Sequence, residues 1–155
     1  MTLSPAWRRS GTLPALIRAE PNALDRAALE IGSAALMGAD QLAVRTRMVD
    51  FVETHPNALY RTCQMGHLTG SAMVVDPTAS NVLLLFHRKL QRWLQPGGHA
   101  DGDGNLAHVA WREATEETGI ADLEVVTPAI HLDVHEVRPP GEAAHLHFCL
   151  LYTSP

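Results

Sequence analysis

The pattern of apolar and polar positions divides the chain into a helical first third and a strand-rich remainder. Residues 1–56 are rich in Ala, Leu and Arg, and their spacing predicts two or three short helices. The clearest of these runs from Gln41 to Glu53, where apolar residues recur near helical spacing after a cap at Asp40. We therefore predict an N-terminal helical segment over residues 1–56, of which about the first 30 residues are expected to be a mobile appendage.

From Gly66 onward the pattern is typical of β-strands. The runs Leu68–Val75 and Asn81–Phe86 are rich in strand-forming residues, and the segment between them is rich in turn formers, which predicts a hairpin. A further extended piece is expected at Trp93–Gln95, and a strand pair is expected from Val125–Val137 and His145–Tyr152.

One strong helix is predicted between these strands, from Leu106 to Thr118. Asn105 is placed to cap the free amides of its first turn, and Gly119 supplies the left-handed residue that ends a helix. Strands before and after a central helix indicate an α/β layered domain.

Composition limits the classes of partner. A chain of 155 residues with 46% apolar residues and a formal charge of -5 is one domain without the basic field that binds nucleic acid polymers. The longest apolar run, Val82–Phe86, is far shorter than the roughly 20 residues that span a bilayer. Arg8 and Arg9 precede no uninterrupted apolar stretch of the kind found in secretory signals. We therefore expect no membrane partner and a cytoplasmic location, and Cys63 and Cys149 fit a reducing compartment.

Three carboxylates share one face of the predicted helix. Glu113, Glu116 and Glu117 stand at positions i, i+3 and i+4, so they repel each other within a single turn. Such a run on its own is typical of a solvated face. A hard cation such as Mg²⁺ or Mn²⁺ prefers these oxygen ligands and would remove the repulsion. Arg112 is one turn from Glu116 and is expected to fix its carboxylate.

A glycine-rich loop precedes the acidic helix. Residues 96–104 include four glycines, which allow backbone amides to approach phosphate oxygens closely. Arg88, Lys89 and Arg92 lie just before this loop and are candidate substrate-binding residues, although they fit an ordinary charged turn equally well. Loop and helix together indicate a site for a diphosphate and a metal ion.

The stretch from Gly98 to Ile120 resembles the Nudix box of the Nudix hydrolase family. The spacing agrees throughout, and one position departs, because Gly104 stands where the family usually has its first glutamate. The segment Trp93–His99, Trp-Leu-Gln-Pro-Gly-Gly-His, also resembles one bacterial branch of the family. The positions that match the box are Gly98, Arg112, Glu113, Ala114, Glu116, Glu117, Gly119 and Ile120.

The resemblance implies a Nudix-type α/β/α sandwich around a mixed sheet, over residues 57–155. A typical domain of the family adds another helix after the strand that here begins near His145, so the C-terminal end of this domain is expected to be incomplete. Sheet surface left uncovered in this way favours association, which makes a homodimer an expectation.

The resemblance also implies the chemistry. Glu116 and Glu117 would be the principal ligands of Mg²⁺ or Mn²⁺, Glu113 a further ligand or proton acceptor, and Arg112 the residue that orients Glu116. The carbonyl of Gly98 would complete the metal shell. The implied activity is that of a diphosphohydrolase of the EC 3.6.1 class, a pyrophosphatase that cleaves a diphosphate bond in a small nucleoside diphosphate-type substrate.

Gly104 keeps an alternative open, namely a non-catalytic Nudix-fold module that binds a ligand or regulates. Asp101 and Asp103 lie in the same loop and are candidates to replace the missing glutamate, with a shorter reach. Isomerisation of an isoprenoid diphosphate would want a catalytic cysteine, and Cys63 lies in no matching motif.

The histidines form a second pattern. His131, Asp133 and His135 alternate along one predicted strand, and His145 and His147 along the next, so each set shares a face. Such a face can bind Zn²⁺, but strand alternation also produces ordinary solvent-facing polar residues, which is the interpretation we favour here. At two further positions, His67 and His99, a hydrogen-bonded histidine is expected rather than a metal ligand.

Overall fold

The computed structural model of the chain describes residues 17–88 and 90–155. Residues 1–16 and Lys89, one of the three candidate phosphate contacts, lie outside the described residues. The elements in chain order are α1 (Leu24–Ser33), α2 (Ala39–Thr54), β1 (Gly66–Val74), β2 (Leu85–His87), β3 (Arg92–Leu94), β4 (Gly97–His99), α3 (Leu106–Thr118), β5 (Val126–Val137) and β6 (His145–Ser154).

The centre of the fold is a four-stranded mixed sheet in the order β4-β1-β6-β5. β1 runs parallel to β6, and the β1–β4 and β5–β6 pairs are antiparallel. β2 and β3 form a separate two-stranded ribbon. The predicted α/β class with a mixed sheet is confirmed, as is the pairing of the last two strands.

The predicted hairpin of Leu68–Val75 with Asn81–Phe86 is wrong except at its tip. The two runs share a single bridge, between Val75 and Val82, beside the turn around Asp76. β4 and β6 flank the two edges of β1, so little of β1 is left for another partner. The end of the second run therefore pairs with β3 instead.

All three helices pack on one face of the sheet. Phe51 of α2 stacks on Phe148 of β6 with ring centroids 3.7 Å apart. α3 crosses β1 so closely that a β-carbon at Gly70 would lie 2.6 Å from the carbonyl oxygen of Leu106. Side chains alternate between the faces along each strand, so the residues on this face form the core. Its sheet residues include Leu68, Ala72, Leu132, Phe148, Leu150 and Tyr152.

Local signals place α3 where the sequence predicts it. The Asn105 side chain accepts a hydrogen bond from the His108 amide at 3.1 Å, and Gly119 ends the helix with a φ of 72°. α2 is also confirmed, although it begins at Ala39 and has no side-chain cap, so the cap predicted at Asp40 is wrong. None of the described helices has the length and apolar character needed to cross a bilayer.

The segment before α1 is part of the fold, and the expected mobile appendage is wrong from residue 17 onward. The Glu20 amide donates to Asp103 at 2.9 Å, and the Gly104 amide donates to the Glu20 carbonyl at 2.8 Å. Ala27 and Ile31 of α1 are fully buried in the common core. A division of the chain near residue 57 stays a prediction, and α1 and α2 share their core with the sheet.

Candidate active site

Two of the three predicted carboxylates lie against the glycines of β4. The Gly97 amide donates a hydrogen bond of 3.1 Å to Oε2 of Glu117. A β-carbon at Gly98 would lie 2.4 Å from Cδ of Glu113, so the absence of a side chain at Gly98 leaves room for this carboxylate against the strand. Glu116 stands in the same helical turn and is exposed. The structure therefore brings the predicted acidic turn of α3 and the predicted glycine loop together.

Arg112 connects α3 to β4. Its guanidinium donates to Oε1 of Glu113 from Nη2 at 2.7 Å and from Nε at 3.2 Å, and Nη2 also donates to the His99 carbonyl at 3.1 Å. The predicted contact between Arg112 and Glu116 is not formed, because the strand carbonyl and Glu113 hold the guanidinium.

Of the three carboxylates, Glu113 has a described counter-ion, the guanidinium of Arg112. Burial raises the pKa of Glu117, the hydrogen bond from Gly97 opposes that rise, and the charges of Glu113 and Glu116 add to it. Within residues 17–88 and 90–155, no basic side chain forms an ion pair with Glu116 or Glu117. A hard divalent cation fits this donor set of carboxylates and a nearby strand backbone.

The candidate phosphate contacts lie on the β2–β3 ribbon. Arg88 is exposed in the turn of the ribbon and Arg92 begins β3, also exposed. Neither is paired with a carboxylate among the described residues, and neither contacts the glutamates of α3. His87 at the end of β2 is close enough to lower the pKa of Glu117, a secondary effect that the sequence analysis missed. The sequence signal for His87 was its position directly before Arg88, a candidate phosphate contact.

The position of the missing glutamate is filled by backbone. A β-carbon at Gly104 would lie 1.9 Å from the carbonyl oxygen of Ala23, which immediately precedes α1. The N-terminal segment thus occupies the space into which a side chain at position 104 would extend. The segment before α1 can pack in this place because residue 104 is a glycine.

The two aspartates proposed as substitutes are engaged elsewhere. Asp101 accepts two hydrogen bonds of 2.8 Å from Arg61. Asp103 is buried, accepts from the amides of Glu20 and Asn105, and contacts Nδ1 of His108 at 2.6 Å. Both therefore stabilise the loop, and the expectation that they replace the missing acid is wrong.

An acid from α1 reaches the start of α3 instead. Glu30 is 8% exposed, and its Oε2 accepts hydrogen bonds from the Ala107 amide at 3.1 Å and from the Tyr152 hydroxyl. Arg26 donates to its other oxygen at 2.8 Å. The carboxylate thus binds a free amide in the first turn of the acidic helix, where negative charge is favourable. Sequence analysis missed Glu30, because no local pattern links residues 77 positions apart.

The predicted histidine faces are divided in the structure. Asp133 contacts Nδ1 of His135 at 2.5 Å, whereas His131 lies 3.1 Å from the amide nitrogen of Gln41. His147 instead meets two residues that were expected to be ordinary polar positions, His67 and His99.

The comparison with family patterns decides the family. A pattern described as "NUDIX domain" matches residues 67–153, which is more than half of the chain. The chain belongs to the NUDIX domain family. The Nudix match includes β4, the acidic turn of α3 and the histidine positions from His67 onward, whereas α1 and α2 precede it. Membership of a particular bacterial branch stays a prediction.

Curated relatives are similar over part of their length. Proteins named phosphatase NudJ from Escherichia coli strain K12, Escherichia coli O157:H7 and Shigella flexneri are each 32% identical over 82 residues, which is 53% of this chain and 46% of the relative. The chain thus spans about half the length of the curated relatives it matches. A crystal structure of Caenorhabditis elegans Ap4A hydrolase aligns over 56% of this chain and 66% of that one, with 20% identity and a TM-score of 0.41.

Proposed function

We propose that this Nudix domain is a diphosphohydrolase of the EC 3.6.1 class that cleaves a diphosphate bond in a small nucleoside diphosphate-type substrate, with Mg²⁺ or Mn²⁺. The observation that carries the proposal is the convergence of Glu113 and Glu117 on the glycine backbone of β4, with Glu116 in the same turn. The three carboxylates repel each other, so the cluster does not stabilise the helix. A divalent cation would remove that repulsion and would also bind a diphosphate.

The metal would be held by Glu113, Glu116 and Glu117, with the Gly98 carbonyl as a further ligand. Bound there, Mg²⁺ or Mn²⁺ would neutralise charge on the diphosphate and lower the pKa of a bound water.

The protein groups around the carboxylates fix their orientation. Arg112 binds one oxygen of Glu113, Oε1, and leaves Oε2 to face a ligand or accept a proton. In the same way the Gly97 amide holds Oε2 of Glu117 and leaves Oε1. Each carboxylate is thereby positioned before substrate arrives, which reduces the reorganisation that the reaction requires.

The substrate phosphates would be bound from the β2–β3 ribbon. Arg88 and Arg92 are exposed there, and Arg guanidinium groups form paired hydrogen bonds with phosphate oxygens. Lys89 is proposed for the same role. His87, at the end of β2, is the ribbon residue whose charge reaches Glu117. A substrate bound between ribbon and helix would therefore have cationic groups on one side and the carboxylate cluster on the other.

The test is turnover with a panel of dinucleotides, nucleotide sugars and nucleoside triphosphates in Mg²⁺ or Mn²⁺. We expect release of phosphate or nucleoside monophosphate, lowered roughly 10²- to 10⁴-fold by Glu117→Gln, as for loss of a group that acts in the transition state. Glu53→Gln is the matched control, because Glu53 is an exposed glutamate near the end of α2 that forms no ion pair with the described residues, and its turnover should equal that of the wild type.

A non-catalytic ligand-binding module remains the second candidate, favoured by Gly104. The two candidates differ in one outcome. Folded protein that binds Mn²⁺ but turns over no member of the panel would replace the hydrolase with the binding module. Metal-dependent turnover that Glu117→Gln abolishes would exclude the binding module.

A further inference from the structure

The sheet face opposite the helices carries a group of histidines. Side chains alternate along a strand, and Leu68 and Phe148 face the helices, so their neighbours His67 and His147 point to the other face. On β4 the β-carbon direction at Gly98 is towards α3, so His99 also points away from that helix. Sheet register thus brings together three histidines from three different strands.

The ring nitrogens of these histidines converge. One nitrogen from each of His67, His99 and His147 lies within 4.8 Å of the other two. Nε2 of His99 and Nε2 of His147 are 3.3 Å apart. Tetrahedral Zn²⁺ with Zn–N bonds of about 2.0–2.1 Å requires nitrogens about 3.3–3.4 Å apart. One edge of such a tetrahedron is therefore present, and the other nitrogen pairs, within 4.8 Å, would have to approach further around an ion.

The burial of His67 is the second observation that supports a metal site. It is 3% exposed, and neither of its ring nitrogens has a hydrogen-bond partner in the part of the chain that the structure describes. Buried polar groups in proteins are nearly always satisfied, so a buried imidazole without partners indicates a ligand. Burial, with the nearby histidines, lowers the pKa of His67 to about 4 and that of His147 to about 3.

The surrounding groups make this a nitrogen site rather than an oxygen site. The two aspartates near it are already engaged, Asp101 with Arg61 and Asp133 with His135. His145 lies beside the cluster, with its ring centroid 5.0 Å from that of His67. Its Nδ1 donates to the Ala143 carbonyl at 2.9 Å. Imidazole donors suit late first-row metals, whereas Mg²⁺ and Mn²⁺ prefer oxygen.

We propose that the protein binds one late first-row divalent ion of the Zn²⁺ type through His67, His99 and His147, at a site separate from the carboxylates of α3. His99 and His147 are half-buried, so the fourth coordination position faces solvent and takes water. The site lies on the opposite face of β4 from Glu113, and its occupation does not depend on the proposed hydrolase activity.

The experiment is titration of the metal-free full-length chain with Zn²⁺, and with Co²⁺ as a spectroscopic probe. We expect one Zn²⁺ per chain and the visible absorption of tetrahedral Co²⁺. His147→Gln should weaken Zn²⁺ binding at least roughly 100-fold, more than the 10- to 100-fold that loss of an outer-shell partner costs. His131→Gln is the matched control, since His131 lies on the same sheet face outside the cluster, and it should bind like the wild type.

Glu117→Gln distinguishes the histidine site from the carboxylate site. It removes one of the proposed carboxylate ligands and should leave Zn²⁺ affinity at the histidines unchanged. Zn²⁺ affinity lost in Glu117→Gln and kept in folded His147→Gln would overturn the proposal. X-ray absorption of the Zn²⁺-loaded wild type needs no substitution and should show imidazole nitrogens at about 2.0–2.1 Å. A shell of oxygen alone, or no bound Zn²⁺, would equally overturn it.

Discussion

Gly104 is the residue at which the box departs from the family pattern, and its neighbourhood predicts the effect of a side chain. A β-carbon there would lie 1.9 Å from the Ala23 carbonyl oxygen and 2.6 Å from the Ala23 carbonyl carbon. Because backbone must move, Gly104→Ala should lower the free energy of unfolding by about 1–3 kcal/mol. Urea unfolding measures this difference.

The control for this change is Gly32→Ala. Gly32 lies within α1, and a β-carbon there would meet nothing within 4 Å, so alanine should raise the free energy of unfolding by about 0.5–1 kcal/mol. An equal free energy of unfolding for Gly104→Ala and the wild type would show that Ala23 does not pack against Gly104 in solution.

Gly98 makes a second close approach with a different outcome. A β-carbon there would meet the carboxylate of Glu113, which is the flexible end of a side chain. If the proposed function holds, Gly98→Ala should change the free energy of unfolding by less than about 1 kcal/mol and lower turnover at least roughly 10-fold, because a misplaced group near the chemistry is costly. Turnover and unfolding measured on one preparation test both parts. Unchanged turnover would show that Glu113 is not needed where this structure has it.

For single residues, the sequence predicted the position of those side chains whose partners are near in the chain. Glu113, Glu116 and Glu117 were recognisable because helix geometry alone places them in one turn. Two side chains were not predictable, Glu30 and His67, because tertiary structure supplies their neighbours. Helix spacing alone favoured an Arg112–Glu116 pair. That prediction was wrong, because the Arg112 guanidinium donates to a carbonyl of β4 instead.

Elements were predictable where their ends carry their own signals. α3 has a capping side chain at Asn105 and a left-handed glycine at Gly119, and both bounds were correct. The run Asn81–Phe86 has strand character, but the sequence does not say which edge is available to it. β4 and β6 flank β1 on its two edges, so the pairing was wrong although the strand character was right.

The contact between α1 and α3 gives the prediction at the scale of elements. Arg26 contacts two glutamates, Glu30 at 2.8 Å and Glu20 at 3.8 Å, and only Glu30 is buried and also binds the Ala107 amide. Glu30→Ala should therefore lower the free energy of unfolding by about 3 kcal/mol, since it leaves buried donors unsatisfied.

Glu20→Ala should cost less than about 1 kcal/mol, as for an exposed ion pair, because the backbone contacts of Glu20 remain. Thermal or urea unfolding of the two variants side by side gives the comparison. Similar losses in both variants would show that Glu30 does not hold α3 to α1.

The whole molecule combines a predictable sheet with an arrangement of helices that was not predictable. Strand composition indicated the strands and the family resemblance implied a mixed sheet, which is confirmed. Residues 1–56 were predicted as a helical segment of one domain, without the surface on which its helices pack, and in the structure α1 and α2 join α3 on one sheet face. An apolar helix face shows that a helix packs, without showing which surface it packs on. The expected homodimer stays a prediction.

The burial of Tyr152 within this shared core gives a prediction for alkaline stability. Burial raises the pKa of Tyr152 well above its ordinary value of about 10, and the adjacent Glu30 carboxylate raises it further. A raised pKa in the folded state means that the stabilisation is fully present below about pH 10 and is lost as pH rises above it. The unfolded chain releases the Tyr152 proton more readily, so alkaline pH favours unfolding.

The chain has two tyrosines, which allows a direct test of that link. In Tyr60→Phe, Tyr152 is the remaining tyrosine, so tyrosinate absorbance should rise only together with the loss of helical circular dichroism. In Tyr152→Phe, stability should fall less steeply above about pH 10, because the buried hydroxyl is gone. Tyrosinate formation in Tyr60→Phe with native circular dichroism would mean that Tyr152 is accessible to solvent, and that α1 and β6 do not enclose it together.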